Sequence, residues 1–375
     1  MTKLGEICTV VSGTTPKSTR PEYWDGDINW VTPAELTDES DVIYESQRKI
    51  TQQAVIDSNL KSFPTGTVFL SSRAPIGKVA IAGTEMYCNQ GFKNLICSEK
   101  IYNRYLYHFL KSKTDYLNSL GRGATFKEIS KSIVENIEVP LPHLDEQRKI
   151  AAVLDKISSL IVKRRQQLDK LDELVKARFV EIFGTEKQKK ALSDICCIIT
   201  DGTHQPPKFI SDGIPFLFVS NIVSNQITYE TEKYISEETY NELIKRTPIE
   251  LGDILLSTVG SYGHPAIVKE DRRFLFQRHI AYLKPKHDIV QSQYLHAALL
   301  SNIAQRQIES KVKGVAQKTL NLSEIRKIVL PVPPMDRQLY FCRYIEQTEK
   351  IKTTISESLE KLETLKKALM QEYFG

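Results

Sequence analysis

The sequence predicts an α+β fold with two similar mixed α/β globular domains separated by a pair of long antiparallel coiled-coil helices. Three observations predict it. The whole chain is an internal repeat, the first part of each copy carries short strand-like runs, and the second part changes to helical spacing. A tandem internal repeat with matched helices also predicts pseudo-two-fold symmetry.

The repeat is clearest in two charged, leucine-spaced segments. Residues 168–184, LDKLDELVKARFVEIFG, share nine of seventeen positions with residues 359–375, LEKLETLKKALMQEYFG, at an offset of 191. Near the start of each copy, residues 4–16 align without a gap with residues 192–204. A repeat of about 190 residues is too long for a solenoid unit, so it indicates a duplicated domain.

The sequence of each globular part has the pattern of short strands joined by turns. Runs rich in β-branched and aromatic residues, such as GTVFLSS and GDILLSTV, alternate with Gly, Pro, Asn and Asp. The proline-rich segments VPLP and LPVPP separate each globule from the long helix that follows it. Proline resists helix continuation, so these segments mark the ends of the two globules. The predicted segments are domain 1 (1–142), a central spacer helix (143–184), domain 2 (185–334) and a C-terminal spacer helix (335–375).

The helical parts carry a narrow apolar seam on steps of three and four residues, typical of a coiled coil. In the first copy it comprises Ile150, Leu154, Ile157, Ile161, Leu168, Leu171, Val175 and Ile182. A helix of this length spans about 60 Å. Equal length and register favour packing of the two helices on each other, and the short link from Gly184 to Leu192 favours an antiparallel pair. Two separate helices, each docked on its own globule, are the alternative.

Composition narrows the class of protein. A net charge of +5 permits a nucleic-acid partner without requiring one. The sequence contains no run of eighteen apolar residues, so it predicts no membrane span. The first residues also lack the pattern of a signal peptide. The six cysteines form no CxxC pair, which favours reduced thiols and a cytoplasmic location.

Catalytic motifs are missing. The sequence has no GxGxxG fingerprint, no GxxxxGK[ST] phosphate loop, no Asn/Asp-Pro-Pro-aromatic motif and no spaced His/Cys metal set. We therefore expect a protein that is not an enzyme and needs no cofactor or metal. A dispersed nuclease site of Asp, Glu and Lys remains an alternative.

Four segments carry a family resemblance across both copies: LGEI…SGTTP, GRGAT, PLP…EQRKIAAVLDKI and LVKARFVEIFG. Together they resemble the DNA specificity (S) subunit of type I restriction-modification systems. The resemblance implies that each globule is a target recognition domain that reads one half of a bipartite, asymmetric sequence in double-stranded DNA. It also implies that the helices set the spacing between the half-sites.

The same resemblance implies partners. Two adenine methyltransferase (M) subunits would dock on the helices, and restriction/translocase (R) subunits could join. S-adenosylmethionine, ATP and Mg would belong to those partner subunits. Carried over to this sequence, the docking residues are Glu146, Gln147, Arg148 and Gln338. The second copy departs from the family pattern, since PMDRQLYFCRYIEQT replaces the usual Glu-Gln-Arg-Ile run and keeps only Gln338.

Three loop clusters in each globule combine glycines, hydroxyls and forked donors, the groups that contact phosphates and base edges. They are residues 12–20, 71–78 and 121–127, matched by residues 200–208, 257–264 and 312–318. The predicted DNA-binding residues are Thr14, Thr15, Lys17, Arg20, Arg73, Lys78, Arg122, Thr125, Lys127, Thr203, His204, Gln205, Lys208, Ser261, His264, Lys313, Gln317 and Lys318. Ordinary turns are the alternative for each cluster.

Two further features stay open. Gln90 and Gln277 lie in apolar, strand-like runs, which favours buried structural amides. The basic run at residues 163–165 favours a solvated helix face over phosphate contact. The alternative function for the whole chain is a coiled-coil scaffold that presents two peptide- or ligand-binding globules.

Overall fold

The computed structural model describes residues 1–37, 39–122, 127–314 and 318–375. Its contacts divide the chain into two units. Unit 1 comprises residues 1–166 and 357–375, and unit 2 comprises residues 167–356.

The strands are short and fall in the first part of each copy. In chain order they are β1 (Thr2–Lys3), β2 (Cys8–Ser12), β3 (Trp24–Val31), β4 (Val42–Ile43), β5 (Lys49–Ile50), β6 (Val68–Ser71), β7 (Val79–Ala82), β8 (Tyr87–Cys88), β9 (Phe92–Cys97), β10 (Glu138–Val139), β11 (Lys189–Ala191), β12 (Cys196–Asp201), β13 (Ile214–Leu217), β14 (Tyr234–Ile235), β15 (Ile254–Ser257), β16 (Pro265–Ile267), β17 (Leu275–Phe276), β18 (Ile280–Pro285) and β19 (Val329–Pro331).

Two of the helices are far longer than the others. The helices are α1 (Leu4–Ile7), α2 (Gln52–Asp57), α3 (Asn103–Ser112), α4 (Thr114–Ser119), α5 (Lys131–Glu135), α6 (Leu144–Phe183), α7 (Leu192–Ile195), α8 (Glu237–Leu243), α9 (Ser292–Leu300), α10 (Asn302–Lys311), α11 (Leu322–Ile325) and α12 (Met335–Phe374). Helices α6 and α12 each have 40 residues.

The sheets of the two units correspond strand by strand, except that β4 of unit 1 has no counterpart among the described residues of unit 2. Unit 1 has a five-stranded sheet in the order β2-β9-β6-β7-β4 and a three-stranded sheet in the order β5-β3-β8. Unit 2 has a four-stranded sheet in the order β12-β18-β15-β16 and a three-stranded sheet in the order β14-β13-β17. In both smaller sheets one pair is parallel, β3 with β8 and β13 with β17. The duplication in sequence is thus a duplication of topology.

Local sequence explains matching elements in the two copies. Strands β6 (VFLS) and β15 (ILLS) are buried at every position, as expected for strands that have a neighbour on each side in the larger sheet. Helices α2 and α8 begin after a hydroxyl residue that accepts a hydrogen bond from the backbone N–H three residues later, Thr51 from Ala54 and Ser236 from Thr239.

Segments of both long helices pack in each unit. In unit 1, Ile150, Ala151 and Leu154 of α6 share a core with Phe374 of α12. Further along α6, Arg165 Nη2 lies 2.7 Å from Glu363 Oε1 of α12. Higher numbers on α6 therefore meet lower numbers on α12, which makes the segments antiparallel.

Unit 2 repeats the arrangement with the roles of the two helices exchanged. Lys352 Nζ of α12 lies 2.7 Å from Asp172 Oδ1 of α6. The rings of Phe179 and Phe183 of α6 each lie 5.5 Å from the Phe341 ring of α12. The predicted fold class, mixed α/β with an internal repeat and a pair of antiparallel helices, is confirmed.

Candidate nucleic-acid interface

Loop 1, residues 12–20 in unit 1 and 200–208 in unit 2, leaves the sheet at a glycine. A Cβ on Gly13 would overlap Asn89 O, and one on Gly202 would overlap Phe276 O. The residue after each glycine donates its backbone N–H to a carbonyl of the neighbouring short strand: Thr14 to Cys88 at 3.0 Å and Thr203 to Phe276 at 2.9 Å. Only glycine lets the loop cross this close to the strand.

The glycines correct the alignment of the two copies. An ungapped alignment of residues 4–16 with residues 192–204 places Gly13 on Asp201, but Gly202 occupies the equivalent position. The cause is a β-bulge between Cys196 and Ile198, which gives β12 one residue more than β2. His204 therefore corresponds to Thr15.

Loop 2, residues 71–78 and 257–264, is the same serine-closed turn in both units. The serine Oγ accepts a hydrogen bond from the backbone N–H seven residues later: Lys78 to Ser71 at 2.9 Å and His264 to Ser257 at 2.9 Å. The intervening glycines, Gly77 and Gly263, donate to the same serine's carbonyl and have positive φ angles of 93° and 81°. Glycine adopts that conformation at least cost.

Loop 3, residues 121–127 and 312–318, is tied to loop 2 by the backbone. The second residue of the loop and the residue that follows the loop exchange two hydrogen bonds, Arg122 with Glu128 at 3.1 and 3.0 Å and Lys313 with Thr319 at 3.0 and 2.8 Å. The following residue then donates to loop 2, Ile129 to Ser72 O at 2.9 Å and Leu320 to Thr258 O at 2.8 Å. Residues 123–126 and 315–317 lie outside the described part of the chain.

A tight turn before β9 connects loops 1 and 2 in unit 1. Ser72 N donates to Gly91 O at 2.7 Å, and Gln90 N donates to Thr15 Oγ1 at 3.3 Å. The three loops therefore form one continuous surface, which we call the three-loop surface. In unit 2, Thr258 N donates to His279 O at 2.9 Å and Thr203 forms a bridge with Gln277, so the corresponding connection is present there.

Most predicted DNA-binding residues lie at this surface with exposed side chains. They are Thr14, Lys17, Arg20, Arg73, Arg122 and Lys127 in unit 1, and His204, Gln205, Lys208, Ser261, Lys313 and Lys318 in unit 2. Two predicted residues, Thr125 and Gln317, fall outside the described residues.

Four predicted residues are partly buried and mostly engaged within their own unit. Thr15 Oγ1 accepts from Asn89 Nδ2 at 3.1 Å, Lys78 Nζ donates to Leu36 O, and His264 Nδ1 lies 3.2 Å from Asn225 Oδ1. Burial lowers the pKa of His264, so it adds no charge at neutral pH. Thr203 is half-buried and held through its backbone. These four residues therefore make contacts that hold the loops within their own units.

Sequence reasoning missed an arginine beside loop 1 of unit 2. Arg246 pairs with Asp201 Oδ1 and lies 3.2 Å from His204 Nε2, which is itself 2.9 Å from Asp201 Oδ2. The arginine is 45 residues from Asp201 in sequence, beyond any local motif.

The interpretation of Gln90 as a buried amide is wrong. Its side chain is exposed, in the turn before β9.

The glutamines predicted to dock a partner lie inside their own units. Gln147 and Gln338 are fully buried. Each amide makes three hydrogen bonds at equivalent places: Gln147 with Tyr102 N (2.8 Å), Lys100 O (3.0 Å) and Pro142 O (2.9 Å), and Gln338 with Gln291 N (3.0 Å), Ile289 O (3.0 Å) and Pro333 O (2.8 Å). These two side chains anchor the first turn of α6 and α12, which does not fit direct contact with another chain. Glu146 and Arg148 beside Gln147 are exposed.

Comparison with known proteins identifies what kind of domain carries these loops. The family described as "Type I restriction modification DNA specificity domain" matches residues 1–172 and again residues 185–366. The chain belongs to this family. Each specificity domain contains one complete set of the three loops, and the family's role is DNA recognition rather than catalysis.

Two relatives agree with the family. The chain is 30% identical over 359 residues to the type I restriction enzyme MjaIX specificity subunit of Methanocaldococcus jannaschii, across 88% of this chain and 82% of that protein. It is 24% identical over 323 residues to the EcoBI specificity subunit of Escherichia coli, across 76% of this chain and 68% of that protein.

Two solved structures share the fold. One, from work on complex assembly and conformational transition of the type I R-M system, has a TM-score of 0.61 at 19% identity over 99% of this chain and 96% of its own. The other, the S subunit from M. genitalium, has a TM-score of 0.53 at 16% identity over 100% of this chain and 95% of its own.

The described residues contain no group of three or more His, Cys, Asp or Glu side chains arranged to hold a metal ion. Within the same residues, neither long helix nor any other is both long and apolar enough to cross a membrane.

Proposed function

We propose that this chain is the sequence-reading subunit of a type I restriction-modification complex, with each three-loop surface reading one half of a bipartite, asymmetric DNA target. One observation carries the proposal. The backbone hydrogen bonds that close loops 2 and 3 and join them recur at matching positions in both units, whereas the exposed side chains on the surface differ. A constant frame with different donors suits two domains that read two different sequences.

The partners follow from the same proposal. Two adenine methyltransferase subunits would dock on the exposed faces of α6 and α12, with Glu146 and Arg148 as contact residues, and restriction subunits could join that complex. This chain would contribute no cofactor, since S-adenosylmethionine, ATP and Mg would be bound by its partners. The complex would act in the cytoplasm, where the DNA is.

Exchange of one domain tests the division of labour. Residues 192–333 are replaced with the same region of another specificity subunit, the chimera is co-expressed with the methyltransferase, and methylated sequences are mapped by long-read sequencing. We expect one half of the methylated sequence to change and the other half to stay. A change in both halves would refute independent reading.

Point variants test the loops themselves. Arg122→Ala and Lys127→Ala should weaken or relax only the half read by unit 1. Lys313→Ala and Lys318→Ala are the matched variants in unit 2 and should affect only the other half. Methylation that is indifferent to all four variants would remove loop 3 from the interface.

Co-purification separates this proposal from the alternative scaffold. A specificity subunit should co-elute from gel filtration with two methyltransferase copies when the proteins are co-expressed. A scaffold for peptides or small ligands would elute alone and would leave host DNA methylation unchanged.

A further inference from the structure

The Arg73 side chain in loop 2 of unit 1 is held by an ion cluster. Its Nε donates to Glu128 Oε2 at 2.9 Å. The other oxygen, Oε1, accepts from Lys93 Nζ at 3.1 Å, and the same ammonium lies 3.4 Å from Ser72 Oγ. Each carboxylate oxygen therefore has one cationic partner, which fixes the plane of the carboxylate and the direction of the arginine.

The three charged groups differ in exposure. The Lys93 side chain is 8% exposed, Glu128 is 34% exposed and Arg73 is 46% exposed. Partial burial raises the pKa of Glu128, but the hydrogen bonds from Lys93 and Arg73 outweigh burial and hold that pKa below its ordinary value. The cluster thus runs from an interior lysine through an ionised carboxylate to an arginine at the surface.

The outer edge of Arg73 makes no hydrogen bond to the residues that the structure describes. Glu128 accepts from Nε, and no hydrogen bond within that part of the chain uses Nη1 or Nη2. The side-chain stem runs close to Gly91, where an added Cβ would lie 3.9 Å from Arg73 Cδ. Two adjacent N–H donors on a rigid plane match O6 and N7 of guanine in the major groove.

Unit 2 builds the same loop frame without this cluster. Val259 and Thr319 form the bridge that Arg73 and Glu128 form in unit 1. Ala281 faces Asp201 in the strand register, as Lys93 faces Ser12. The frame of unit 2 forms with a valine, a threonine and an alanine at these positions, so the ion cluster is a feature of unit 1 and not a general requirement of the loop frame.

We infer that Arg73 contacts a guanine base in the half-site read by unit 1, and that Glu128 and Lys93 are positioning residues for that contact. The inference rests on the proposed function and adds to it the base, the half-site and the residues that orient the reader.

The test is a methylation map of the reconstituted complex with its methyltransferase, for the wild-type chain and for variants. Arg73→Ala should allow any base at one guanine position of one half-site, with discrimination there falling about 5- to 150-fold, the range of one good bidentate contact. Arg73→Lys should relax the same position, because it keeps the charge and loses the fork. Glu128→Gln and Lys93→Met should relax that position less.

Two controls separate readout from general weakening. Lys127→Ala removes a neighbouring exposed cation of loop 3, and it should affect the half-site of unit 1 without relaxing the guanine position assigned to Arg73. Val259→Ala in unit 2 should leave the half-site of unit 1 unchanged. Thermal unfolding of the Lys93 and Glu128 variants shows whether unit 1 is folded, and the exposed Arg73 variants provide the decision if it is not.

The outcomes that overturn the inference differ from those that overturn the function. If Arg73→Ala slows methylation at every site while the motif keeps its guanine, or if the half-site of unit 1 contains no guanine, the inference is wrong and the proposed function stands. If the wild-type complex methylates no bipartite motif, both are wrong.

Discussion

The substitution Gln147→Leu distinguishes an internal anchor from a docking contact. Leucine keeps most of the side-chain volume but removes the acceptor used by Tyr102 N and the two donors used by Lys100 O and Pro142 O. Gln147 is 0% exposed, so water cannot simply take the place of its amide. We therefore expect a loss of stability in unit 1 rather than a loss of partner binding alone.

The magnitude follows from the three bonds. A buried backbone group left without a partner costs about 1–3 kcal/mol. Lys100 lies at an exposed position, so its carbonyl can find water, which leaves two groups to carry most of the loss. The expected change in the free energy of unfolding is roughly 2–6 kcal/mol, a large share of the ~5–15 kcal/mol that stabilises a typical domain.

The repeat supplies the matched control. Gln338→Leu removes the equivalent bonds in unit 2 and should destabilise that unit by a similar amount. Urea unfolding followed by hydrogen exchange would assign each loss, with faster exchange in α3 for the Gln147 variant and in α9 for the Gln338 variant. Glu146→Ala, an exposed neighbour, should leave both units unchanged.

One result would refute this reasoning. If Gln147→Leu unfolds within about 0.5 kcal/mol of the wild type, the range of ordinary surface substitutions, yet no longer co-elutes with the methyltransferase, the glutamine is a docking residue after all.

Three further predictions concern other parts of the chain. Gly13→Ala should lower the unfolding temperature of unit 1 by an amount equivalent to about 1–3 kcal/mol, because its Cβ would overlap Asn89 O; an unchanged unfolding temperature would contradict this. Burial lowers the pKa of His296 to about 4, below its unfolded value, so stability of unit 2 should fall as pH drops from about 6.5 to about 4, by on the order of 3 kcal/mol, and urea midpoints of a His296→Gln variant should show a flatter pH dependence. Arg246→Ala should alter only the half-site read by unit 2, as shown by methylation mapping, and an altered half-site of unit 1 would count against it.

The periodic features of the fold could be read from the sequence because they depend on local spacing. Ile150, Leu154, Ile157 and Ile161 were placed on one seam by their three- and four-residue steps, and all four are buried. The buried residues in the second half of α6 were harder to predict. Phe179 and Phe183, fully buried in unit 2, pack with Tyr294 and Phe341, so their burial depends on tertiary partners rather than on spacing along α6.

Loop positions were predicted, but the arrangement of side chains on them was not. The recurrence of Gly, Ser and Thr marked all three loops, since those residues are needed by the turns themselves. Lys93 and Glu128 were missed because they are 35 residues apart and one of them sits in a strand. Cys197 adds one residue to β12, so the ungapped alignment of the two copies was wrong by one position after it. The amino-acid composition of a strand does not show where a bulge occurs.

The division of the chain into units has a consequence for biosynthesis. Unit 2 is continuous in sequence from residue 167 to residue 356, whereas unit 1 needs residues 357–375 as well as residues 1–166. Phe374 is 2% exposed and lies 5.2 Å from Tyr105 and 5.7 Å from Phe109, so the core of unit 1 has a gap until that residue leaves the ribosome. The domain that is translated first is therefore the one whose core is completed last.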